Sequence, residues 1–451
     1  MLFSVPLWLQ SLRGEVDRAV FSLDGLLALA IGFVFRGLGF VLVLLAWALD
    51  VLLSQSINYH FKSPLDFLES ARFGGALNWT ELFTWSDGLV LAAFVAAALS
   101  LRRLLRLRPS WPALAAIFVA LLTADALNGS SAISERDVRF TRANIAGSPA
   151  FVVGTAFTKK TQSARPVPFA DPPAGRLFDA VLNWAQANPQ GSVLMVVVES
   201  LGQPVAPPVR RWLDEQMSVA VAGGHQVEGS SVLFTGATTS GELRSLCMLD
   251  GTYDQLDATL GATCLPRRLE ALGWHARGYH GFTGNMFERR VWWPKIGLSD
   301  ANFAEQLRGR GLPLCGAAFR GFCDGDLLTL AAAELKPRTL AYVLTLNTHI
   351  PLPPQDVDPA LRSLCGANGV ADGACKMLAA LGGVLRRVGV VASQSPGTLV
   401  VVAGDHAPPF TDRQSRHAFD AHRVPAWLFT PKRMPASVGA APSMDGLTSP
   451  H

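Results

Sequence analysis

Three apolar runs in the second half of the chain each lead into a residue that can bind a metal ion. Ser192 to Val198 (SVLMVVV) runs into Glu199. Leu399 to Ala403 (LVVVA) passes through Gly404 into Asp405 and His406, and Ala341 to Leu346 (AYVLTL) leads to His349. Short runs of Val and Leu without polar alternation are the pattern of strands buried on both faces. In parallel α/β sheets the ligand site lies beyond the carboxyl ends of the strands. Glu, Asp and His delivered there form an oxygen-plus-imidazole metal set. The segment 236–246, GATTSGELRSL, adds hydroxyls at an expected helix start. Metal ligands beside a hydroxyl nucleophile point to chemistry on phosphate or sulfate esters.

Charged residues make up only 16% of the 451-residue chain and hydrophobic ones 49%, too apolar for a wholly soluble protein. The net charge of +4, with no basic stripe, gives no support for nucleic-acid binding. The apolar excess lies in residues 1–127, expected to form a transmembrane domain of about three helices. Gly25 to Leu49 is long enough to span a bilayer, which needs about 20 residues. Arg36 inside it either faces neighbouring helices or marks a hairpin. Gly88 to Leu101, extended by Leu82 to Trp85 and a snorkelling Arg102, is the second span, and Trp111 to Leu127 the third. Arg102, Arg103, Arg106 and Arg108 lie between these two without an acid. Positive-inside places that loop in the cytoplasm and everything after residue 127 outside the inner membrane. No cleavable signal pattern is read, so the protein is expected to stay anchored.

Residues 128–178 lack steady periodicity and read as a linker with one short amphipathic helix at most. From about Leu177, strand-like runs alternate with helical stretches such as Phe178 to Gln186 and Lys376 to Val388. The expectation is an α/β domain over 179–430 with a central, mostly parallel sheet and helices on both faces. A poorly ordered tail follows at 431–451. All six cysteines lie beyond the apolar part, in neighbouring pairs: Cys247 with Cys264, Cys315 with Cys323, Cys365 with Cys375. Such spacing suits local disulfides in an oxidising periplasm, although sequence alone leaves other pairings and free thiols open. Zinc ligation by cysteine is disfavoured, since no C-x2-C pair exists.

Glu199 after its strand, TTSGELRSLC, YHGFTGNMFERR, LNTHIPLP and VVVAGDHAPPF together resemble the membrane-anchored sulfatase-fold transferases of the alkaline phosphatase superfamily. That group comprises lipoteichoic acid synthases, osmoregulated-glucan phosphoglycerol transferases and lipid A phosphoethanolamine transferases. The resemblance covers roughly residues 180–430. It implies a sulfatase-like α/β fold, a catalytic threonine and a divalent metal, Zn or Mn, in a periplasmic catalytic domain.

On that resemblance Glu199, Asp405 and His406 are metal ligands and a threonine hydroxyl completes the set. Thr239 is the expected nucleophile, because Thr239 to Glu242 has capping-box spacing that would seat the hydroxyl at a helix N-terminus. Thr238 and Ser240 remain alternatives. His349 matches a histidine that contacts the transferred group and could act as acid and base. Arg289 matches an arginine near the substrate phosphate, with Arg290 as its neighbour and alternative. His417 lies near a second-metal or substrate histidine position, with His422 and His280 as competitors. Trp292 and Trp293 are expected to pack in the core.

The implied activity is metal-dependent transfer of phosphoethanolamine or phosphoglycerol from a membrane phospholipid to an envelope glycan or lipid through a phosphothreonine intermediate. A periplasmic hydrolase of phosphate or sulfate esters is the alternative within the enzyme class. An inactive scaffold in polysaccharide assembly is the alternative outside it.

Overall fold

The computed structural model describes residues 21–82, 85–106, 110–127, 146–161 and 165–432. The apolar stretch expected as one span is broken at Phe35 into α1 (Leu23–Val34) and α2 (Arg36–Asn58). The two fold back on each other so closely that a side chain at Gly39 would collide with the backbone of Gly32. Arg36 therefore sits at the tip of a hairpin, exposed, with Nε donating to the Leu105 carbonyl at 3.1 Å. That contact puts Arg36 beside Arg102, Arg103 and Arg106 at one end of the bundle. The break keeps the charge out of the apolar middle.

A short helix α3 (Pro64–Ser70) follows, then α4 (Trp85–Leu104) and α5 (Trp111–Leu127). Among the described helices only α2, with 23 residues, is both long and apolar enough to cross a bilayer. The 12 residues of α1 reach about 18 Å at 1.5 Å per residue, short of a hydrocarbon core. Trp47 meets Phe94 edge to face, and Val43, Leu101 and Leu105 are buried between α2 and α4. Helix α6 (Pro149–Thr161) packs against α2 and α3. Asp24 caps it, accepting from the Ser148 hydroxyl at 2.6 Å and the Ala150 N–H at 2.8 Å. Part of the expected linker is thus docked on the helical domain. Its 128–145 and 162–164 stretches, Arg108, and the tail beyond 432 lie outside the described residues.

The α/β domain opens with α7 (Pro172–Ala187), seven residues ahead of the expected boundary because Asp171 caps it and prolines occupy its first turn. Seven strands form one mixed sheet: β1 (Ser192–Val198), β2 (His225–Leu233), β3 (His275–His280), β4 (Asp300–Asn302), β5 (Thr339–Leu344), β6 (Thr398–Gly404) and β7 (Arg423–Pro431). Their order is β2-β7-β6-β1-β5-β3-β4. Strands β6, β1, β5, β3 and β4 run parallel, and β7 is antiparallel to both neighbours.

Leu194, Val196 and Val198 of β1 enter the core under α9 (Asp324–Ala333) and α10 (Asp372–Gln394). Val193, Met195 and Val197 enter the opposite core, with α7, Trp292 and Trp293. Burial on both faces is why the run shows no polar alternation. The cysteines form the three expected neighbouring disulfides.

Candidate active site at the strand ends

Because β6, β1 and β5 are adjacent and parallel, the residues that follow them converge. Glu199 directly follows β1, and Asp405 and His406 directly follow β6. Their ligand atoms lie within 4.8 Å of one another, and all three residues are buried. Ser200 turns the chain sharply at φ 55°, a left-handed conformation that costs a non-glycine residue about 1–3 kcal/mol. The turn aims the Ser200 N–H at Asp405 Oδ1 (2.8 Å) and its hydroxyl at Glu199 Oε1 (2.8 Å).

The hydroxyl that reaches this cluster belongs to Thr238. It donates to Glu199 Oε2 at 3.0 Å and lies 3.3 Å from His406 Nε2. The structure thus brings Thr238, read from the sequence as an alternative, to the cluster, and not Thr239. Helix α8 (Thr238–Cys247) begins with Ala237 as its N-cap and no side-chain cap. The anticipated capping box does not form because the Glu242 carboxylate turns inward. There it binds Arg289 (2.9 and 2.8 Å), Trp293 Nε1 (3.0 Å) and the Tyr342 hydroxyl (3.3 Å). Thr239 and Ser240 face a separate cleft.

Helix α8 is fastened to the Asp405–His406 turn at two points. Gly241 lies where a Cβ would come within 2.7 Å of the Asp405 Cβ, so no larger residue fits. The buried Arg244 guanidinium donates to the Gly404 carbonyl (2.5 Å) and the Asp405 carbonyl (3.1 Å). Burial lowers its pKa to about 10, still protonated at neutral pH. Nothing in the sequence patterns singled out Arg244.

Electrostatics favour a cation here. Burial, then the charge on Glu199, pushes the Asp405 carboxyl well above its usual range. Burial also disfavours the Glu199 anion, but the charges of His349 and His406 and the hydroxyls of Ser200 and Thr238 outweigh it and lower its pKa. Asp405 Oδ2 is buried without a hydrogen bond, with His406 Nε2 3.4 Å away. Two buried carboxylates, one imidazole and a hydroxyl with an orphaned oxygen are a donor set that suits a divalent metal such as Zn or Mn.

Thr238, Glu199 and His406 open into a cavity of about 530 Å³ that His280, Arg289 and His349 also line. His349 lies against Phe319, the rings tilted by 38° with 3.8 Å between centroids, and its Nδ1 faces the Ile350 carbonyl at 2.6 Å. That assigns the proton to Nδ1 and turns Nε2 to other partners. Arg289 is buried against Glu242, whereas Arg290 pairs with Glu305 at 3.1 Å on the surface. Burial, then the charge of Arg289, lowers His280 to about 3, so it is neutral at physiological pH. His417 does not join the site. It is exposed at the end of the short helix Arg413–His417 and is absent from the cavity lining, as is His422.

The opposite wall comes from the helical domain. Tyr59, Phe61, Phe67, Trp79 and Leu82 line the cavity. The Asn58 amide donates to the Pro409 carbonyl (3.4 Å), Asn78 N–H to the Ala318 carbonyl (2.9 Å), and Arg72 pairs with Glu288 (2.9 Å). His60 places its Nε2 2.9 Å from the Ala407 carbonyl and its ring 5.3 Å from that of His406. Sequence reasoning missed this wall, because no local pattern announces a partner more than a hundred residues away.

No family model matches the sequence, and no curated protein matches it either. Solved structures with similar architecture include the integral membrane lipooligosaccharide phosphoethanolamine transferase A (EptA) from Neisseria meningitidis. It is 12% identical at TM-score 0.46, over 89% of this chain and 79% of that one. The lipoteichoic acid synthase LtaP from Listeria monocytogenes is 15% identical at TM-score 0.41, over 55% and 67%. The phosphoglycerol transferase GacH from Streptococcus pyogenes is 12% identical at TM-score 0.39, over 59% and 77%. Likeness at this level assigns neither substrate nor mechanism.

Proposed function

We propose that this chain is a membrane-anchored, sulfatase-like phosphotransferase of the alkaline phosphatase superfamily. It moves a phosphoethanolamine or phosphoglycerol group from a phospholipid to an envelope glycan or lipid, with Thr238 as nucleophile and the catalytic domain in the periplasm. The observation that carries the reading is the Thr238 hydroxyl, seated between Glu199 and His406 in a cavity whose far wall is the membrane domain. A soluble ester would need no such wall; a lipid headgroup at the bilayer surface does.

Thr238 Oγ1 attacks phosphorus as the bond to the diacylglycerol oxygen breaks. Its proton is directed at Glu199 Oε2 in the resting state. The doubly protonated His349 ring, its Nδ1–H held by the Ile350 carbonyl, gives its Nε2 proton to the departing oxygen, so that diacylglycerol leaves neutral and phosphothreonine remains. The N-terminal amides and dipole of α8 favour the phosphoryl anion beside them. Arg289 adds positive charge to that wall, and its pairing with Glu242 fixes the planar group in place. A divalent metal held by Glu199, Asp405, His406 and the Thr238 hydroxyl would offset the two carboxylates and lower the pKa of that hydroxyl.

Mass spectrometry of the Thr238 peptide tests the proposal after exposure to phosphatidylethanolamine or phosphatidylglycerol. An adduct on Thr238 is expected, and its mass names the headgroup. Release of the group to water, with no transfer to any glycan, would convert the reading to a hydrolase. The inactive-scaffold alternative fits less well, since nucleophile and all three ligands are present and assembled.

A further inference from the structure

The loop that carries His406 continues as Ala407-Pro408-Pro409. The two prolines have no backbone N–H to give, and the carbonyls of this loop are held by donors from elsewhere. Those donors come from the end of α2, in the helical domain. Asn58 donates its amide to the Pro409 carbonyl at 3.4 Å, and His60 Nε2 lies 2.9 Å from the Ala407 carbonyl. The same Ala407 carbonyl faces His406 Nδ1 at 2.9 Å. A carbonyl only accepts and has two lone pairs, so each imidazole gives it one N–H. Donation from Nδ1 leaves the lone pair of His406 on Nε2. That atom is 3.3 Å from Thr238 Oγ1, 3.4 Å from Asp405 Oδ2 and 3.6 Å from Glu199 Oε1. Resting on the metal reading above, we propose that His60 is a positioning residue of the metal centre. It pins the carbonyl that orients His406, so the metal affinity of the catalytic domain depends on a histidine of the membrane domain.

The helix end is shaped for this reach. Helix α2 closes with Tyr59 as its C-cap, the His60 N–H returning to the Ile57 carbonyl (3.1 Å) and the Phe61 N–H to the Ser56 carbonyl (2.9 Å). That bonding places the residue after the cap in the left-handed region, where glycine is the usual occupant, and His60 fills it at φ 60°. Glycine would sit there without strain, but it has no imidazole to send across to Ala407. Phe234 meets the His60 ring edge to face at 5.5 Å, and the His406 ring lies 5.3 Å away on another side. His60 does not line the catalytic cavity. Nor, among the described residues, is it in the group of acidic and imidazole side chains close enough to share an ion. It therefore acts through Ala407 and His406, not on substrate or metal. Metal-binding histidines are commonly oriented in this way, by a carbonyl or carboxylate that takes the N–H of the other ring nitrogen.

The full-length protein in nanodiscs tests this with two metal probes. Zinc affinity is read by competition against a chelator of known strength, and the visible absorption of bound cobalt(II) reports coordination geometry. His60→Ala should weaken zinc binding by about tenfold or more, the usual cost of removing a group that orients a metal-binding histidine, and should shift the cobalt spectrum. His60→Gly should show the same loss although its backbone suits the left-handed turn, and in excess chelator it should melt near wild type. That variant separates the imidazole from the helix end, even if His60→Ala folds poorly. His60→Gln can bring an amide N–H to the Ala407 carbonyl and should recover most of the affinity. Zinc affinity and cobalt spectrum unchanged in both the alanine and glycine variants overturn the proposal, as does a glutamine variant as weak as the alanine one. No zinc bound by wild type, or binding that survives Glu199→Gln with His406→Ala, overturns the metal reading itself and is a separate outcome.

Discussion

Replacing Thr238 by alanine separates a nucleophile from a structural threonine, and the structure sets both magnitudes. The hydroxyl has one proton, which it gives to Glu199 Oε2 at 3.0 Å, while the 3.3 Å approach to His406 Nε2 is longer and depends on the ring's tautomer. The stability at stake is therefore one hydrogen bond to a charged acceptor, about 1.5–3 kcal/mol. The lower end is expected, because Ser200 still donates to Glu199 Oε1 and a water can occupy the vacated space. No side-chain cap is lost, since Ala237 is the N-cap. Activity should fall far more, by about 10⁴-fold or beyond, as when other covalent nucleophiles are removed. Thr238→Ser, which keeps an oxygen there, should recover part of it. Thr239→Ala should change stability by less than about 0.5 kcal/mol, as for surface sites without a special role, and leave the Thr238 adduct intact. Denaturant unfolding reads stability, and fluorescent-phospholipid turnover with peptide mass spectrometry reads chemistry. Near-normal turnover in Thr238→Ala, with Thr239→Ala inactive, would refute the assignment.

Metal should stabilise the fold. Saturating Zn or Mn at about 100-fold over Kd is expected to add about 2.7 kcal/mol, read as a higher melting temperature that chelator reverses and that Glu199→Gln with His406→Ala abolishes. A second expectation concerns Asp324, whose carboxyl accepts the Leu346 and Asn347 N–H groups in the loop leading to His349. Burial, its largest cause, raises it from 3.8 to about 7. Between those values the folded state holds a proton that the unfolded state has lost, so its contribution is complete below pH 3.8 and is lost as pH rises through 7. At about 1.4 kcal/mol per pH unit, the stability of wild type relative to Asp324→Asn should fall by about 4 kcal/mol between pH 4 and 8. Unfolding curves in chelator check this; a pH-independent difference would contradict it. Topology is the last: reporters near Gly191 should read outside and those between Arg102 and Arg108 inside, and the reverse would remove the basis for both the disulfides and an outer-leaflet donor.

The sequence by itself determined three of the seven strands in the central sheet, β1, β5 and β6, and what hangs from their ends. β1 was legible to the residue because burial on both faces leaves an unbroken Val and Leu run, and Glu199 and Asp405-His406 follow such runs directly. The cysteine pairs were legible because short loops bring them together whatever the rest of the chain does. Tertiary structure decided the remainder. Thr239 to Glu242 satisfies a local capping rule, yet three buried partners, Arg289, Trp293 and Tyr342, take the carboxylate and the helix starts two residues earlier. Arg36 is compatible with either a long span or a hairpin until the Gly32–Gly39 approach and the Leu105 carbonyl choose the hairpin. His417 has sequence spacing in its favour, but its short helix leaves it on the surface. The membrane-side wall and the fastening of α8 by Arg244 depend on contacts across more than a hundred residues. Periodicity carries no trace of such contacts, because it records which face is buried and not what covers it.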